Sequence, residues 1–333
     1  MKPMFLVTID AEGDNLWARP REITTRNADY LRRFQDLCEQ HGLRPTYLTN
    51  YEMATAPAFQ RFGRDVLARG TAEIGMHLHA WNSPPIVPLT DDDFHHMPFL
   101  TEYAPEVIAR KVAAMTDLLQ QVFGVKMLSH RGGRWAMNET YAAALVEHGY
   151  AVDCSVTPHV SWRATAGAPG GSGGPDYTGF PETSYFVDLS NISRPGDSPL
   201  LEVPLTTWGT PYPAPIERAR RLVHARAPAV ARRFFDRAFP RVWWMYPGRR
   251  QHMRAIVTRA VGAGRDYVEF ALHSSELMPG GSPAFPDGPS IEALYRRLGS
   301  FFGWLEGRAV GATLGEYYRT RVPAAGARPA SAQ

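Results

Sequence analysis

His77 and His79, one residue apart, close the strand-like run AEIGMHLH (72–79), and Asp10 and Glu12 stand in the same spacing at the end of MFLVTID (4–10). Side chains at i and i+2 of a strand point to the same face. The two imidazoles are therefore set side by side, the geometry for sharing one divalent ion at metal–nitrogen distances of ~2.1 Å. Asp10 and Glu12 pair in the same way, so one carboxylate can complete a metal shell while the other stays free as a general base. Two histidines and one carboxylate, with open water positions, make up a hydrolytic metal site. Zn2+ is the expected ion, with Ni2+ and Co2+ as alternatives. An H-x-H by itself is a weak signal; the D-x-E on a second strand gives it weight.

Other strand-like runs end in the same kind of residue. His130 and Arg131 close VKMLSHR (125–131), Asp153 and Ser155 close YAVDCS (150–155), and His273 and Ser274 close YVEFALHS (267–274). In parallel α/β folds the carboxyl ends of the strands open onto one face, where ligand sites are built. PTYLT (45–49) and LLEVPLTT (200–207) bring the runs to seven, alternating with helix patterns such as 106–123, whose apolar residues recur at three- and four-residue spacing. Asn138 reads as an N-cap, and Gly42, Gly70, Gly124 and Gly149 as helix stops. The expected class is α/β, with a barrel or a doubly wound sheet. Residues 163–199, with GAPGGSGG near their centre, read as a long surface loop of the lid or binding kind. Residues 209–250 are a second insertion, rich in arginine and aromatics.

Composition sets the outer bounds. The chain has 333 residues, of which 44% are hydrophobic and 21% charged, which excludes disorder as the main state. With 36 basic and 33 acidic residues the net charge is +3, and nucleic acid is not implied as a partner. Two cysteines, Cys38 and Cys154, are too few for a disulfide scaffold. No apolar run approaches the ~18 residues of a spanning helix. MKPMFLVTID carries no secretory-signal pattern, so the expected location is cytoplasmic, with peripheral contact at the inner membrane face as an extension of that expectation.

These residues, in this order, resemble the polysaccharide deacetylases of carbohydrate esterase family four, the NodB-homology family. Five motifs carry the resemblance: TIDAEGD (8–14), EIGMHLHAW (73–81), HRGGRW (130–135), VDCSVTPHVSW (152–162) and LHSSELMPGG (272–281). It spans residues 4 to about 280 and implies a distorted (β/α)7 barrel, taken here as 1–322 with the insertions 163–199 and 209–250; by its composition PAAGARPASAQ (323–333) reads as a disordered tail. The resemblance implies Asp10 as catalytic base, Arg131 as the residue orienting that base, His273 as catalytic acid and Asp153 as the partner that raises the pKa of His273. His77 and His79 match the metal histidines, and Trp162 stands at the family's tryptophan position. Two departures stand out. The family's usual second acid, a metal ligand, is Ala11 here, so Glu12 takes that role with Asp14 in reserve. The family's histidines are usually four apart, whereas here the i+4 position is Trp81.

The implied function is metal-dependent N-deacetylation of a sugar or lipid-linked saccharide, in cell-surface polysaccharide or glycolipid synthesis. An O-deacetylase or a deformylase could run on the same site, and a non-catalytic saccharide- or membrane-binding module could be built on the same barrel. Trp81, Trp135, Tyr177 and Trp208 are the candidates for contact with a sugar ring, although aromatics also fill cores. Arg131 could instead be a buried salt-bridge residue, Asp153 a turn cap, and His95 and His96 surface residues. In 216–246 the arginines interleave with Phe234, Phe235, Phe239, Trp243 and Trp244. That pattern reads first as a solvated helical pair packed on the barrel, broken at Pro228 and Pro240, and next as a segment lying on an anionic membrane.

Overall fold

The computed structural model describes residues 2–210, 212–247 and 252–322, with backbone alone at 229, 233 and 252. The tail expected at 323–333 lies outside the described residues. Twelve strands are present in that range: β1 Met4–Ala11, β2 Thr46–Thr49, β3 Glu73–Leu78, β4 Ser129–Gly132, β5 Val152–Asp153, β6 Tyr185–Asp188, β7 Asn191–Pro195, β8 Leu201–Glu202, β9 Thr207–Gly209, β10 Val242–Trp244, β11 Tyr267–His273 and β12 Val310–Ala312. Seven of them run parallel in the order β11-β1-β2-β3-β4-β5-β8, and each coincides with one of the seven runs expected from sequence. Helices such as Leu31–Gln40, Pro57–Arg69, Pro105–Phe123 and Glu139–Glu147 form the crossovers.

The alternation along β1 shows how the barrel is filled. Phe5, Val7 and Ile9 belong to the large core between sheet and helices, with Phe34 and Phe302 among their neighbours. Leu6 belongs to a second cluster inside the barrel, with Leu48, Val152, Leu201 and Tyr267. Two residues on, Thr8 bonds to the carboxylate of Glu269 on β11 at 2.9 Å, and two further on Asp10 reaches the rim. The interior is thus an apolar floor, then a polar layer, then an open face carrying the ionisable groups.

The barrel is distorted where β8 meets β11. Among the described residues no ladder joins these strands; Tyr267 Oη donates to the carbonyl of Pro204 at 2.8 Å, and the Glu269 amide donates to Thr206 Oγ1 at 2.8 Å. Beyond β8 the sheet continues through β6 and β7, both antiparallel to their neighbours. This hairpin corrects the expectation of an unstructured loop over 163–199. The Gly/Pro-rich stretch ends before it, and Tyr185 and Val187 are buried in strand alternation. The second insertion folds as two helices, Ala214–Arg226 and Ala229–Ala238, broken at Ala227 and Pro228 because proline lacks the amide that would continue the first helix. The second helix gives way at Phe239 and Pro240 to β10, which pairs with β9. Among the described residues no helix is long and apolar enough to cross a membrane.

Candidate metal and acid–base site

The rim of β3 presents His77 and His79 with their Nε2 atoms 3.0 Å apart. Glu12, just past β1, points Oε2 at both, 3.3 Å from His79 Nε2 and 3.6 Å from His77 Nε2. All three side chains are buried, and their donor atoms lie within 4.8 Å of one another. Among the described residues this is the one trio of His, Cys, Asp or Glu side chains that converges so closely. The Nδ1–H of His77 donates to the carbonyl of Arg131 at 2.9 Å, which fixes the tautomer and leaves the Nε2 lone pair, the one that would ligate an ion, on the side of Glu12. His79 stacks on Trp81 with ring centroids 4.4 Å apart. On its other side Gly133 is required: a Cβ there would lie 2.4 Å from His79 Cδ2. Burial would push the Glu12 carboxyl up, but His273, His77 and His79 outweigh it and hold the group below the usual carboxylate range. Two imidazole nitrogens and one ionised carboxylate, with one tautomer already set, fit a divalent cation.

Asp10 stands beside this trio. Arg131, wholly buried, donates to Asp10 Oδ1 at 2.5 Å and to Thr8 Oγ1 at 2.7 Å, bonds the Glu269 carboxylate, and reaches the carbonyl of Cys154 at 3.2 Å. Burial raises the Asp10 carboxyl, but Arg131, then His77 and His273, bring it below its ordinary value, so it is ionised at neutral pH. Burial also pushes Glu269 up, to about 7, against the pull of Arg131. Arg131 is therefore both a buried ion-pair residue and the residue that fixes one oxygen of Asp10. The other oxygen, Oδ2, faces His273 Nε2 at 3.8 Å. The His273 side chain is 31% exposed, in contrast to Asp10 at 6% and Glu12 at 7%. Burial disfavours its charged form, yet Glu12, Glu276 and Asp10 raise it to about 10. A cation on the trio would offset the share from Glu12 and leave Glu276 and Asp10 to hold the imidazolium.

No family model matches the chain, and no curated protein matches it. Solved structures do. A protein from Mycobacterium smegmatis assigned as a polysaccharide deacetylase aligns over 99% of this chain and 96% of its own, with a TM-score of 0.52 and 15% identity. One from Parabacteroides distasonis assigned as a glycoside hydrolase/deacetylase aligns over 96% of this chain and 70% of its own, with a TM-score of 0.58 and 10% identity. The chain has the polysaccharide-deacetylase fold.

On this barrel the remaining expected site residues divide. Trp81 and Trp135 line a cleft of about 360 Å³ whose floor is formed by Asp10, Glu12, His77, His79 and His273. Asp153 departs from expectation: it does not pair with His273. Register places it opposite His130 on β4, whose Nδ1 lies 2.6 Å from Asp153 Oδ1. It also accepts from the amide and hydroxyl of Ser155, at 3.0 and 2.8 Å. His130 Nε2 meets Tyr141 Oη at 2.6 Å, and Ser155 Oγ accepts from the Gly132 amide at 2.8 Å. Asp153 thus braces the backbone that carries Arg131. The partner of His273 is Glu276, with Oε2 3.1 Å from Nδ1 and accepting from the His273 amide at 3.0 Å. Glu276 Oε1 in turn accepts from Tyr246 Oη of the second insertion.

Three more placements correct or narrow the sequence reading. Asp14, the reserve metal ligand, is spent on Thr24, Arg26 and Asn27 and does not enter the trio. Tyr177 is buried and donates to the carbonyl of Trp135, so it supports the cleft from behind. Trp208, on β9, lies beneath Arg265 and Arg259 at 5.1 and 5.9 Å and lines neither this cleft nor the one beside it. Trp17 and Trp162 stand in the cleft wall instead, Trp17 edge-on to His273 at 5.0 Å. Sequence reasoning passed over Glu276, yet a signal existed. H-S-S-E spans the N-cap to N3 spacing of a capping box, and the half in which the Glu276 carboxylate accepts from the N-cap amide forms.

Proposed function

We propose that this chain is a metal-dependent N-deacetylase of a saccharide, acting in cell-surface polysaccharide or glycolipid synthesis. The observation that carries the reading is the convergence of the Glu12–His77–His79 trio and the Asp10–His273 pair on one cleft floor. When bound, the ion supplies Lewis-acid polarisation of an acyl carbonyl and acidification of water. Asp10 has one oxygen held by Arg131 and the other directed into the cleft, the arrangement of a general base that keeps its charge. His273 faces it from β11 with Nδ1 committed to Glu276, so the transferable proton sits on Nε2. An amine leaving group needs that proton, which favours an amide over an ester substrate.

Elemental mass spectrometry should give about one divalent ion per chain, lost in the His77→Ala/His79→Ala double variant. Acetate release from N-acetylated saccharides should then fall ~10²–10⁴-fold in His273→Ala with the metal retained. Formate release from an N-formyl sugar alone, or acetate from O-acetyl esters alone, would reassign the reaction to a deformylase or an O-deacetylase. A metal-free wild type that refuses zinc, nickel and cobalt would turn the reading to a binding module.

A further inference from the structure

A second cleft, of about 760 Å³, adjoins the first and shares Asp10, Trp135, Trp162 and His273 with it. Its lining is different in kind. Val160, Leu205 and Ala271 come from the barrel side, and Val242, Trp244 and Met245 from the second insertion. Beyond the acid–base pair, most of the polar side chains along it are engaged within the protein; His159 Nε2 lies 3.0 Å from Glu182 Oε1, and Ser161 is exposed. Thr178 Oγ1 donates to Asp176 at 2.8 Å, Tyr246 donates to Glu276, Asp236 accepts from Arg220 at 2.9 Å, and Arg241 donates to Glu217 at 2.7 Å. A subsite for further sugar rings would need such groups free to meet hydroxyls, because a polar ligand buried without partners loses its hydration for nothing. Apolar walls, aliphatic and aromatic, with most polar groups satisfied suit a hydrocarbon.

The outer side of the same insertion agrees with this. Leu222, Val230 and Phe234 project outward at 57%, 63% and 70% exposure, beside the exposed Arg218, Arg221, Arg226 and Arg237. Apolar side chains flanked by arginine are what a segment resting on an anionic bilayer displays. The cleft runs from the acid–base pair to Asp236, Pro240 and Arg241 of that insertion, so a chain in it would lead from the reacting groups toward that surface.

We infer that the second cleft takes the hydrocarbon chain of a lipid-linked saccharide whose acylated sugar lies in the first. The sugar end rests on the deacetylase reading; the chain end rests on the cleft itself, and binding tests it without turnover. Titration calorimetry on the metal-loaded protein would compare octyl and methyl glycosides of N-acetylglucosamine, with acetate release measured in parallel. Burial of even half of an octyl chain should tighten binding on the order of a hundredfold over the methyl glycoside. Val242→Arg, which puts a charge on the wall, and Trp244→Ala, which removes part of it, should each abolish most of that gain. Equal binding of the two glycosides, or of neither, overturns the chain site whatever the acetate assay gives. Tighter octyl binding with no acetate from either leaves the chain site standing and sinks the deacetylase reading. A gain for N-octanoylglucosamine in place of the octyl glycoside would put the departing acyl group in the cleft. A gain for a chito-oligosaccharide would make it a sugar subsite. Either result overturns the proposal.

Discussion

Arg131 at the barrel rim and the arginines of the 209–250 insertion are the same residue type in opposite surroundings. Arg131 has no exposure and is bonded to Asp10, Thr8, Glu269 and a backbone carbonyl. In the insertion, Glu217 and Asp236 are the only acids, and Arg220 and Arg241 take them. Arg218, Arg221, Arg226 and Arg237 face solvent. Out of water a charge must be paired within the protein, and its partners become fixed with it. In water it stays mobile and available to an external anion. The rim is therefore built to hold atoms still, and the insertion to meet something else.

The strongest way to break this contrast is at Arg131. Arg131→Met strands the Asp10 carboxylate with its other partners too far to replace the guanidinium. Removal of one side of a buried pair should destabilise the fold by ~3–5 kcal/mol, seen as a lower urea midpoint with little change in slope. Arg221→Met, on the exposed helix face, should stay within about 0.5 kcal/mol of wild type. If the two substitutions cost the same, the distinction between the regions fails.

A smaller effect is expected one step further from the reacting atoms. Glu276→Gln keeps an acceptor near His273 Nδ1 but removes the charge that favours the imidazolium. Turnover should drop roughly tenfold with metal content unchanged, and the alkaline limb of the pH–rate profile should move to lower pH. Tyr246→Phe frees Glu276 Oε1 and should cost only a few-fold. A Glu276→Gln enzyme with wild-type rate and an unmoved profile would reduce the pairing to packing.

Most of this architecture was legible because strand ends carry polar residues where a parallel barrel opens. The i, i+2 spacing of His77 with His79 and of Asp10 with Glu12 is a local property, and all four side chains line one cleft. Asp153 shows where such reading stops. Its position at the end of β5 gives its height on the barrel, but its neighbours depend on which strand lies alongside. That strand is β4, so the carboxylate meets His130, while His273 stands on β11, beyond β8. The tryptophans fail for a related reason. A Trp after a strand end can turn into the cleft, as Trp81 does, or under two arginines, as Trp208 does, and no spacing rule separates the two. The β6–β7 hairpin was hidden by the Gly/Pro-rich composition that precedes it, although the burial of β6 alternates regularly.

The smallest effect on the fold sharpens the comparison from the insertion's side. Leu222→Glu/Phe234→Glu replaces two exposed apolar side chains with acids on the arginine-bearing surface. Neither side chain is buried, so stability should change by less than about 1 kcal/mol. Co-sedimentation with phosphatidylglycerol vesicles should nonetheless fall at least tenfold, because the apolar insertion is lost and two acids now oppose the anionic surface. Wild-type binding should also weaken as salt is raised from about 0.05 to 0.5 M, since exposed arginines attract the headgroups through a screened field. Attraction that vanishes with salt but ignores the two substitutions would mean that the arginines alone touch the bilayer. Absence of wild-type binding to anionic vesicles at low salt would return the helical pair to an ordinary solvated surface.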